Sequence, residues 1–375
     1  MDFELTTEQK LLRDTVRDVL NRGYGPERRD GIAGAGPGRD PKIWTNLAEI
    51  GLLGLTFAEE DGGMGAGPIE VMLVMTELGR RLAPEPVLDC ALLPGGLITR
   101  TGTDAQRKDL LPVIAAGTLK LAFAHGEPGL RWPATETGTH AVRRGDNWVI
   151  TGRKHPVPHG DCADLLIVGA ALPDDGIGLF LVSPADPGVQ RTAYTTHDGL
   201  RGASIEFDGA AAELLGEPVD ATAAVSAALT AAQAALCAEA VGAMEEALRL
   251  TAEYLKTRKQ FGVPLRTFQT LTQRAADMYV ALELARGMSM YASMALADGI
   301  VDPVVASRAK LRVGRSARLI GQEAIQLHGG IGMTDEYPVG HYTARLTAIE
   351  HTLGDSNDHL RYLGGNVGDH QMVEL

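Results

Sequence analysis

Near its C-terminus the chain reads Gln322-Glu323-Ala324-Ile325-Gln326-Leu327-His328-Gly329-Gly330-Ile331-Gly332-Met333, and this stretch decides the fold. It continues through Glu336-Tyr337-Pro338-Val339 to Thr352-Leu353-Gly354-Asp355-Ser356. The pattern predicts an apolar helix that ends in a glycine pair, a loop with an X-Pro step, and a second helix. We expect Gly329, Gly330 and Gly332 to adopt backbone conformations that a side chain would forbid. Such bare backbone leaves room for a flat or phosphate-bearing group.

A second stretch decides how the first one is interpreted: Arg258-Lys259-Gln260-Phe261-Gly262 followed by Phe268-Gln269. Alone, the glycine pair is an ordinary helix end and Arg258 is a solvated charge. Together the two stretches resemble the acyl-CoA dehydrogenase family, which reads Arg-x-x-Phe-Gly and Gln on one hairpin. The family continues with Gln-x-x-Gly-Gly-x-Gly and Glu-Tyr-Pro. The resemblance extends over the whole chain.

The hydrophobic period changes twice along the chain. Residues up to 118 show helical spacing, and long amphipathic helices resume from Val219. Between them, residues 120–216 show six short β-type runs separated by turns: Leu121–Ala124, Thr139–Arg143, Trp148–Thr151, Leu165–Val168, Leu179–Val182 and Ser204–Phe207. We therefore predict an α+β protein with the family's architecture. It consists of an N-terminal helical domain (1–118), a middle antiparallel β-barrel domain (119–217) and a C-terminal four-helix bundle (218–375).

Composition excludes several classes of function. The 375 residues carry a net charge of −13, which argues against nucleic acid as the main partner. We see no apolar run near the ~20 residues of a membrane span and no signal peptide before the first helix. Three separated cysteines fit a cytoplasmic location. Histidine spacing predicts no metal site.

The family resemblance implies an FAD cofactor whose adenosine-diphosphate end is held by a neighbouring subunit. Arg258 matches the pyrophosphate partner, since its planar fork can pair two phosphate oxygens. Phe261 offers a face for adenine. The resemblance completes the cofactor-binding set with four further residues, Gln269, Gln326, Gly329 and Gly330, and with the backbone at Leu327.

On the flavin-ring side the chain departs from the family. Family members carry Thr-Glu-Pro-x-x-Gly-Ser and Trp-Ile-Thr in the β domain, where these residues wall the isoalloxazine. Here the segments read His125-Gly126-Glu127-Pro128-Gly129-Leu130-Arg131 and His155-Pro156-Val157-Pro158-His159-Gly160. Pro156 and Pro158 have no amide hydrogen, so we expect fewer donors for a flavin edge.

The family's catalytic base is absent at both of its known positions. Where the family has Glu-Gly-Thr, this chain has Leu353-Gly354-Asp355. The alternative position, on the long helix before Arg258, holds Ala232, and Gln233 follows where the family often has Arg. Neither Leu353 nor Ala232 can accept a proton. An enzyme without a positioned base forgoes roughly 10²–10⁴-fold in rate.

These departures favour one hypothesis over two others. The chain resembles the small, base-lacking subunit of heteromeric (α2β2-type) acyl-CoA dehydrogenases, such as the pimeloyl-CoA dehydrogenase small subunit. Its partners would be a catalytic acyl-CoA dehydrogenase-like subunit, acyl-CoA and an electron-transfer flavoprotein-type acceptor, in a homo- or hetero-tetramer. One alternative is a self-sufficient FAD enzyme with a relocated base, Asp355 or Glu350. The other is a flavin-free structural or regulatory member, against which the retained cofactor residues argue.

Overall fold

The first helix begins after Thr6, in a Thr-Thr-Glu-Gln run that is typical of a helix start. In the computed structural model of the chain, helix α1 spans Thr7–Gly23. The amide of Gln9 donates to Thr6 Oγ1 at 3.1 Å, and Gln9 Oε1 accepts from the Thr6 amide at 3.0 Å. This reciprocal pair satisfies two amides that the first helical turn leaves without partners.

The structure describes residues 4–24, 38–133, 137–145, 147–173 and 176–369. The chain divides into two units. Unit one consists of Met1–Pro26, Met72–Ala83 and Gln233–Leu375, and unit two of Glu27–Val71 and Pro84–Ala232. The three predicted domain boundaries remain a prediction.

Unit two contains short helices and one sheet. The helices are α2 (Pro41–Glu49), the start of α3 (Pro68–Arg81), a π-helix (Leu88–Leu92), α4 (Leu93–Thr101) and α5 (Asp104–Ala115). Trp44 Nε1 donates to the Gly117 carbonyl at 2.9 Å, which ties α2 to the end of α5. Phe57 is fully buried and lies so close to Gly95 that a Cβ there would overlap the ring.

The sheet has seven strands: β1 (Leu121–Ala124), β2 (His140–Arg144), β3 (Asn147–Pro158), β4 (Leu165–Ala171), β5 (Ile177–Val182), β6 (Val189–Thr195) and β7 (Arg201–Leu214). Neighbour pairings run β4-β2-β3-β7-β5 and return to β4, so five strands close a ring, as the predicted barrel requires. The pairings of β4 with β1 and β2 are parallel, and the others are antiparallel. Its core contains Phe180, Ile205 and Phe207.

Unit one is helical. It contains α1, most of α3, and α6 (Thr222–Thr257) from Gln233 onward, followed by α7 (Gln269–Ala297), α8 (Pro303–His328), α9 (Val339–His351) and α10 (Ser356–Gly365). Helix α8 packs against α7, α9 and α10. Helices α3 and α6 meet through two glycines, because a Cβ on Gly79 would overlap the Glu239 carbonyl and one on Gly242 the Thr76 carbonyl. The predicted α+β architecture is confirmed.

Helix α6 qualifies the expectation that no segment approaches the length of a membrane span. Among the described helices it alone has the length and apolar composition to cross a bilayer. However, 78% of its apolar window is buried within the protein, which is the pattern of a core helix.

Candidate cofactor site and catalytic loop

Arg258 stands at the base of a tight β-hairpin in unit one. Strands β8 (Lys259–Gln260) and β9 (Val263–Pro264) pair across the two-residue turn Phe261-Gly262. Both turn residues have positive φ, 53° and 82°, as a type I′ turn requires. Phe261 is 92% exposed, and its ring meets Phe268 edge-on at 6.1 Å between centroids. The hairpin therefore presents an aromatic face to its surroundings.

The hairpin is a basic patch on an acidic chain. Lys256, Arg258, Lys259 and Arg266 lie between residues 256 and 268, and the sequence there contains no Asp or Glu. In the described part of the chain, the exposed Arg258 guanidinium makes no ion pair or hydrogen bond. Helix α7 then begins at Gln269 without a side-chain cap, so its amide dipoles add positive potential. This combination suits an anionic group such as a pyrophosphate.

The C-terminal end of α8 offers bare backbone. Gln326 is exposed, and Gly329 ends the helix with φ 66° and ψ −144°, a conformation almost restricted to glycine. A Cβ added to Gly329 or Gly330 would meet nothing within 4 Å. The cradle is thus open rather than filled by this chain's own side chains.

The expectation for the other two glycines was wrong. Gly330 and Gly332 lie in the 3-10 helix Gly329–Met333 and do not have positive φ. Gly332 is instead required for close packing, because a Cβ there would lie 3.0 Å from the His328 Cβ. Of these three glycines, Gly329 alone has the positive φ that favours glycine.

Two sets of contacts bring the hairpin end of α6 and α7 together with the end of α8. Arg274 on α7 forms a two-point ion pair with Glu323 on α8, with 2.9 Å between Nη2 and Oε1. The His328 ring lies 4.5 Å from the Tyr254 ring at the end of α6 and 4.8 Å from the Tyr337 ring. Thus Arg258, Gln269 and Gln326 belong to one end of the bundle.

These positioning residues were missed from the sequence. His328 Nδ1 lies 2.7 Å from the Ala324 carbonyl, and burial lowers its pKa, so the ring is neutral and serves packing. Tyr337 is visible in the sequence as part of the Glu-Tyr-Pro run. Its ring partner Tyr254 lies far away along the chain, so no local pattern predicts the contact.

The exposed set fits the adenosine-diphosphate end of a dinucleotide. Arg258 supplies an unpaired guanidinium and Phe261 an exposed ring, while Gly329 and Gly330 leave an open backbone surface. The Arg258 and Phe261 side chains do not serve as interaction partners for each other.

The segment of unit two that starts at His125 is organised differently. Lys154 is fully buried, and its Nζ donates to Glu127 Oε1 at 2.6 Å and to the His125 carbonyl at 3.1 Å. Burial lowers the pKa of Lys154. Burial alone would raise the pKa of Glu127, but hydrogen bonds from Lys154, Thr137 and Thr139 lower it to about 2. Glu127 is therefore a structural anion whose charge is already compensated.

The segment 155–160 uses its amides internally. The amides of His155, His159 and Gly160 donate to the carbonyls of Gly126, Arg201 and Val157 at 2.8, 3.0 and 3.1 Å. Pro156 and Pro158 add no donor. This agrees with the expectation that the segment has few donors for a flavin edge.

The loop that replaces the family's base is held firmly. Leu353 has φ 56°, a strained value for a branched side chain. Its carbonyl accepts from Gln233 Nε2 and from His359 Nε2, both at 3.0 Å. Ala232, at the alternative base position, is buried. The loop keeps a constrained backbone without a side chain that can accept a proton.

Both fallback carboxylates have structural partners. Asp355 is the N-cap of α10 and accepts from the amides of Asp358 and Asn357 at 2.8 Å each, which lowers its pKa. Glu350 is buried, and its Oε1 accepts from the Ser356 amide at 2.9 Å. Glu350 Oε2 is buried without a hydrogen-bond partner among the described residues.

A buried lysine supports the same loop. Lys310 Nζ donates to the Ile349 carbonyl at 2.6 Å and to the Glu350 carbonyl at 3.3 Å, and burial lowers its pKa to about 8. Burial and the charge of Lys310 together lower the pKa of His359 to about 4. Among the described residues, no group of three or more His, Cys, Asp or Glu is placed to hold a metal ion.

Comparison with known families agrees with this geometry. The chain matches the acyl-CoA dehydrogenase N-terminal domain over residues 6–118, the middle domain over 122–209 and the C-terminal domain over 222–367. The chain belongs to the acyl-CoA dehydrogenase family.

Three relatives illustrate the likeness. A probable acyl-CoA dehydrogenase of Bacillus subtilis, YngJ, is 31% identical over 90% of this chain and 92% of its own length. A variant of the Tcur3481-Tcur3483 steroid ACAD superposes with a TM-score of 0.89 at 33% identity, covering 96% of this chain and 98% of that chain. The ChsE4-ChsE5 complex of Mycobacterium tuberculosis contains a chain with a TM-score of 0.89 and 27% identity, covering 99% and 100%.

Proposed function

We propose that this chain is the non-catalytic subunit of a heteromeric, α2β2-type, FAD-dependent acyl-CoA dehydrogenase. One observation carries the proposal: the cofactor-facing set at Arg258 is kept and open, while the base positions hold Leu353 and Ala232. A chain that needed only a packed bundle would not retain an unpartnered Arg258 beside a fully exposed Phe261.

In this proposal the chain's residues bind and orient one end of the cofactor. Arg258 would pair the pyrophosphate oxygens with its guanidinium, Phe261 would stack on adenine, and Gln269 and Gln326 would add hydrogen bonds. The open backbone at Gly329 and Gly330 lets the cofactor lie against the end of α8. When bound, FAD accepts the hydride equivalent of the acyl-CoA oxidation. The partner subunit supplies the proton acceptor.

The remaining parts of the proposal follow the family. The substrate is an acyl-CoA thioester, the electron acceptor is an electron-transfer flavoprotein-type protein, and the assembly is a cytoplasmic tetramer. Two of the similar structures bear the names of paired proteins, Tcur3481-Tcur3483 and ChsE4-ChsE5, which supports a two-chain enzyme. We keep the three domains at 1–118, 119–217 and 218–375.

A self-sufficient enzyme with a relocated base is the second candidate. The observation that favours it is Glu350 Oε2, a buried carboxylate oxygen that lies 3.5 Å from His351 Nδ1 and has no hydrogen-bond partner among the described residues. Asp355 is less suited to the role, since its capping bonds lower its pKa and weaken it as a base.

The deciding experiment compares the chain alone with the chain co-produced with an acyl-CoA dehydrogenase-like subunit encoded beside it. We expect the chain alone to be colourless or substoichiometric in flavin and inactive, and the pair to be yellow and active with an acyl-CoA. A yellow homotetramer that oxidises acyl-CoA at ordinary rates would refute the proposal. In that case Glu350→Gln and Asp355→Asn would show which carboxylate replaces the base.

A further inference from the structure

Helix α7 presents an apolar stripe to its surroundings. Val280, Leu284, Gly287 and Tyr291 follow one another at steps of four, three and four residues, so they lie on one face of the helix. The three large side chains of this stripe are 56%, 48% and 47% exposed. The buried residues of α7, which include Met278, lie on the opposite face. This spacing is typical of a seam between two helices, and about half of each large side chain remains uncovered in the described chain.

Helix α8 presents an arginine stripe. Arg312 and Arg315 are exposed, and in the described part of the chain their guanidinium groups make no ion pair or hydrogen bond. The Arg318 side chain is 61% exposed and approaches a carboxylate only at 3.9 Å, between its Nη2 and Glu350 Oε1. The sequence contains no Asp or Glu from residue 303 to residue 322. The arginines therefore form a positive stripe on a chain whose net charge is −13.

The two stripes lie on neighbouring helices of unit one. Helices α7 and α8 pack against each other, and Arg274 on α7 pairs with Glu323 on α8. Each stripe lies on the side of its helix opposite to the buried residues, so both point away from the bundle. Together they make one surface, the α7–α8 face, which consists of Val280, Leu284, Tyr291, Arg312, Arg315 and Arg318.

The α7–α8 face continues into the candidate cofactor site. Arg312, Arg315, Gln322 and Gln326 follow one another at steps of three, seven and four residues, so they share one side of α8, and all four are exposed. A partner that reaches the cofactor end of the bundle at Gln326 therefore has the arginine stripe beside it.

Charge indicates which kind of partner fits this face. A second copy paired about a two-fold axis would bring the arginines of both chains to one contact. Beside its apolar stripe, α7 carries two exposed carboxylates, Asp277 and Glu283. Glu283 already pairs with Arg286, at 3.4 Å between Oε2 and Nε. Such a contact would concentrate positive charge, which opposes association, whereas a partner with carboxylates opposite the arginines would be attracted.

We propose that the α7–α8 face docks the catalytic subunit of the heteromeric enzyme, through a surface of that subunit on which carboxylates flank apolar side chains. This docking role rests on the proposed function and extends it by naming the surface and the chemistry of its partner. Val280, Leu284 and Tyr291 lose their remaining exposure to water in the contact, which supplies affinity. The arginines pair with carboxylates and so select an acidic partner over a second copy.

The test measures how tightly this chain assembles with the acyl-CoA dehydrogenase-like subunit encoded beside it. The co-produced pair is diluted, and the fraction that remains assembled gives the Kd. Arg312→Glu/Arg315→Glu should raise the Kd at least about ten-fold, because like charges then face each other. Added salt should weaken assembly of the wild-type pair. The matched control, Arg100→Glu/Lys108→Glu, makes the same change in net charge at exposed positions of unit two and should leave the Kd unchanged.

Apolar variants test the other half of the face. Leu284→Ala/Tyr291→Ala should also raise the Kd, while the salt dependence stays as in the wild type because the arginines remain. Leu11→Ala, which truncates an exposed apolar side chain on α1, should leave the Kd unchanged. Circular dichroism and thermal unfolding of each variant chain check that it is folded.

The outcomes separate the docking role from the proposed function. If the wild-type pair does not assemble, the proposed function fails and the docking role fails with it. If the pair assembles but its Kd depends neither on salt nor on Arg312→Glu/Arg315→Glu, the proposed function stands and the docking role is wrong; the salt titration requires no variant to fold. A chain that self-associates alone and becomes monomeric in the same double variant would also overturn the proposal, because the face would then hold a second copy.

Discussion

Two regions of unit one, one around Arg258 and one around Leu353, differ in whether their polar groups are paired. Around Arg258 the guanidinium makes no ion pair or hydrogen bond among the described residues, Phe261 is 92% exposed, and the glycine surface at Gly329 is open. Around Leu353 most polar groups are paired within the protein: Gln233 and His359 donate to one carbonyl, and Asp355 caps a helix. An open set of donors is stable only in water or against a ligand, whereas a closed loop is complete by itself.

The difference separates binding from chemistry. The exposed groups at the end of the bundle are available to a ligand, whereas the groups around Leu353 bond mainly to the backbone of their own loop. Leu353 has a strained backbone conformation, and two side chains hold its carbonyl.

Removal of Arg258 should have the largest effect. In the two-subunit complex, Arg258→Ala should lower FAD affinity by roughly 1.5–3 kcal/mol, about one to two decades, because a charge-assisted contact is lost. The chain should fold normally, since no core packing is touched. Flavin absorbance per complex, with circular dichroism on the same sample, measures both.

The matched control is Arg22→Ala, an exposed arginine on α1 outside the basic patch, whose loss should leave FAD content unchanged. Arg258→Lys should be intermediate, since the charge remains without the fork. FAD content that stays at the wild-type level in Arg258→Ala would mean that the guanidinium is only a surface charge.

Acid should weaken the closed loop. The pKa of His359 is about 4 in the folded chain against 6.5 ordinarily, so protonation favours the unfolded state. The contribution is present in full above pH 6.5 and is lost as the pH falls towards 4. Between pH 7 and pH 5 the loss is at most about 2 kcal/mol.

Urea unfolding at both pH values measures this loss. His359→Gln should flatten the pH dependence in part, because the buried His328 contributes with the same sign. His197→Gln, at an exposed position in unit two, should leave it unchanged. A wild-type stability that does not fall between pH 7 and pH 5 would contradict the prediction.

The Asp355 carboxylate should matter for stability and not for catalysis. Loss of the N-cap in Asp355→Ala should cost about 1 kcal/mol of unfolding free energy, while Asp355→Asn should retain the cap. Activity of the complex should be the same in both variants. Loss of turnover in Asp355→Asn with flavin still bound would instead identify Asp355 as a relocated base.

The smallest expected effect is that of Leu353→Glu. Restoring a carboxylate at the family position should give little or no turnover in a flavin-loaded complex. The segment 155–160 has used its amides and Gln233 is tied to the loop, so neither is free to place a flavin or a thioester. Geometry errors of ~1 Å suffice to lose a reaction of this kind. Substantial turnover, assayed against the unmodified complex, would show that only the base is missing.

The sequence predicted the architecture because its signals are local. Glycine, proline and capping residues mark the helix ends, and alternation marks most strands. Strand β6 was missed because it pairs only with β7 and is largely exposed, so its residues Val189–Thr195 carry no apolar run. Strand β3 was predicted too short, because it continues through Pro156 and Pro158, which are tolerated at the register shift between Lys154 and Val157.

For the candidate site, the sequence predicted which residues take part but not how the fold brings them together. Arg258, Phe261 and Gln326 came from a resemblance of motifs. The contacts that bring them to one end, such as Tyr254 with His328, are long-range and leave no periodic trace. The roles of Asp355 as a cap and of Glu127 as a compensated anion likewise depend on partners that only the fold supplies.

The close crossing of α3 and α6 at Gly79 and Gly242 bears on the order in which a growing chain can fold. Residues 84–232 form most of unit two and are synthesised before Gly242 and the helices that follow it. Unit two can therefore complete its sheet during synthesis, while α1 and the end of α3 must wait for helices from the C-terminal third. During that wait their apolar faces have no permanent cover. The N-terminal helix is consequently the part of this protein that most needs either fast synthesis or a chaperone.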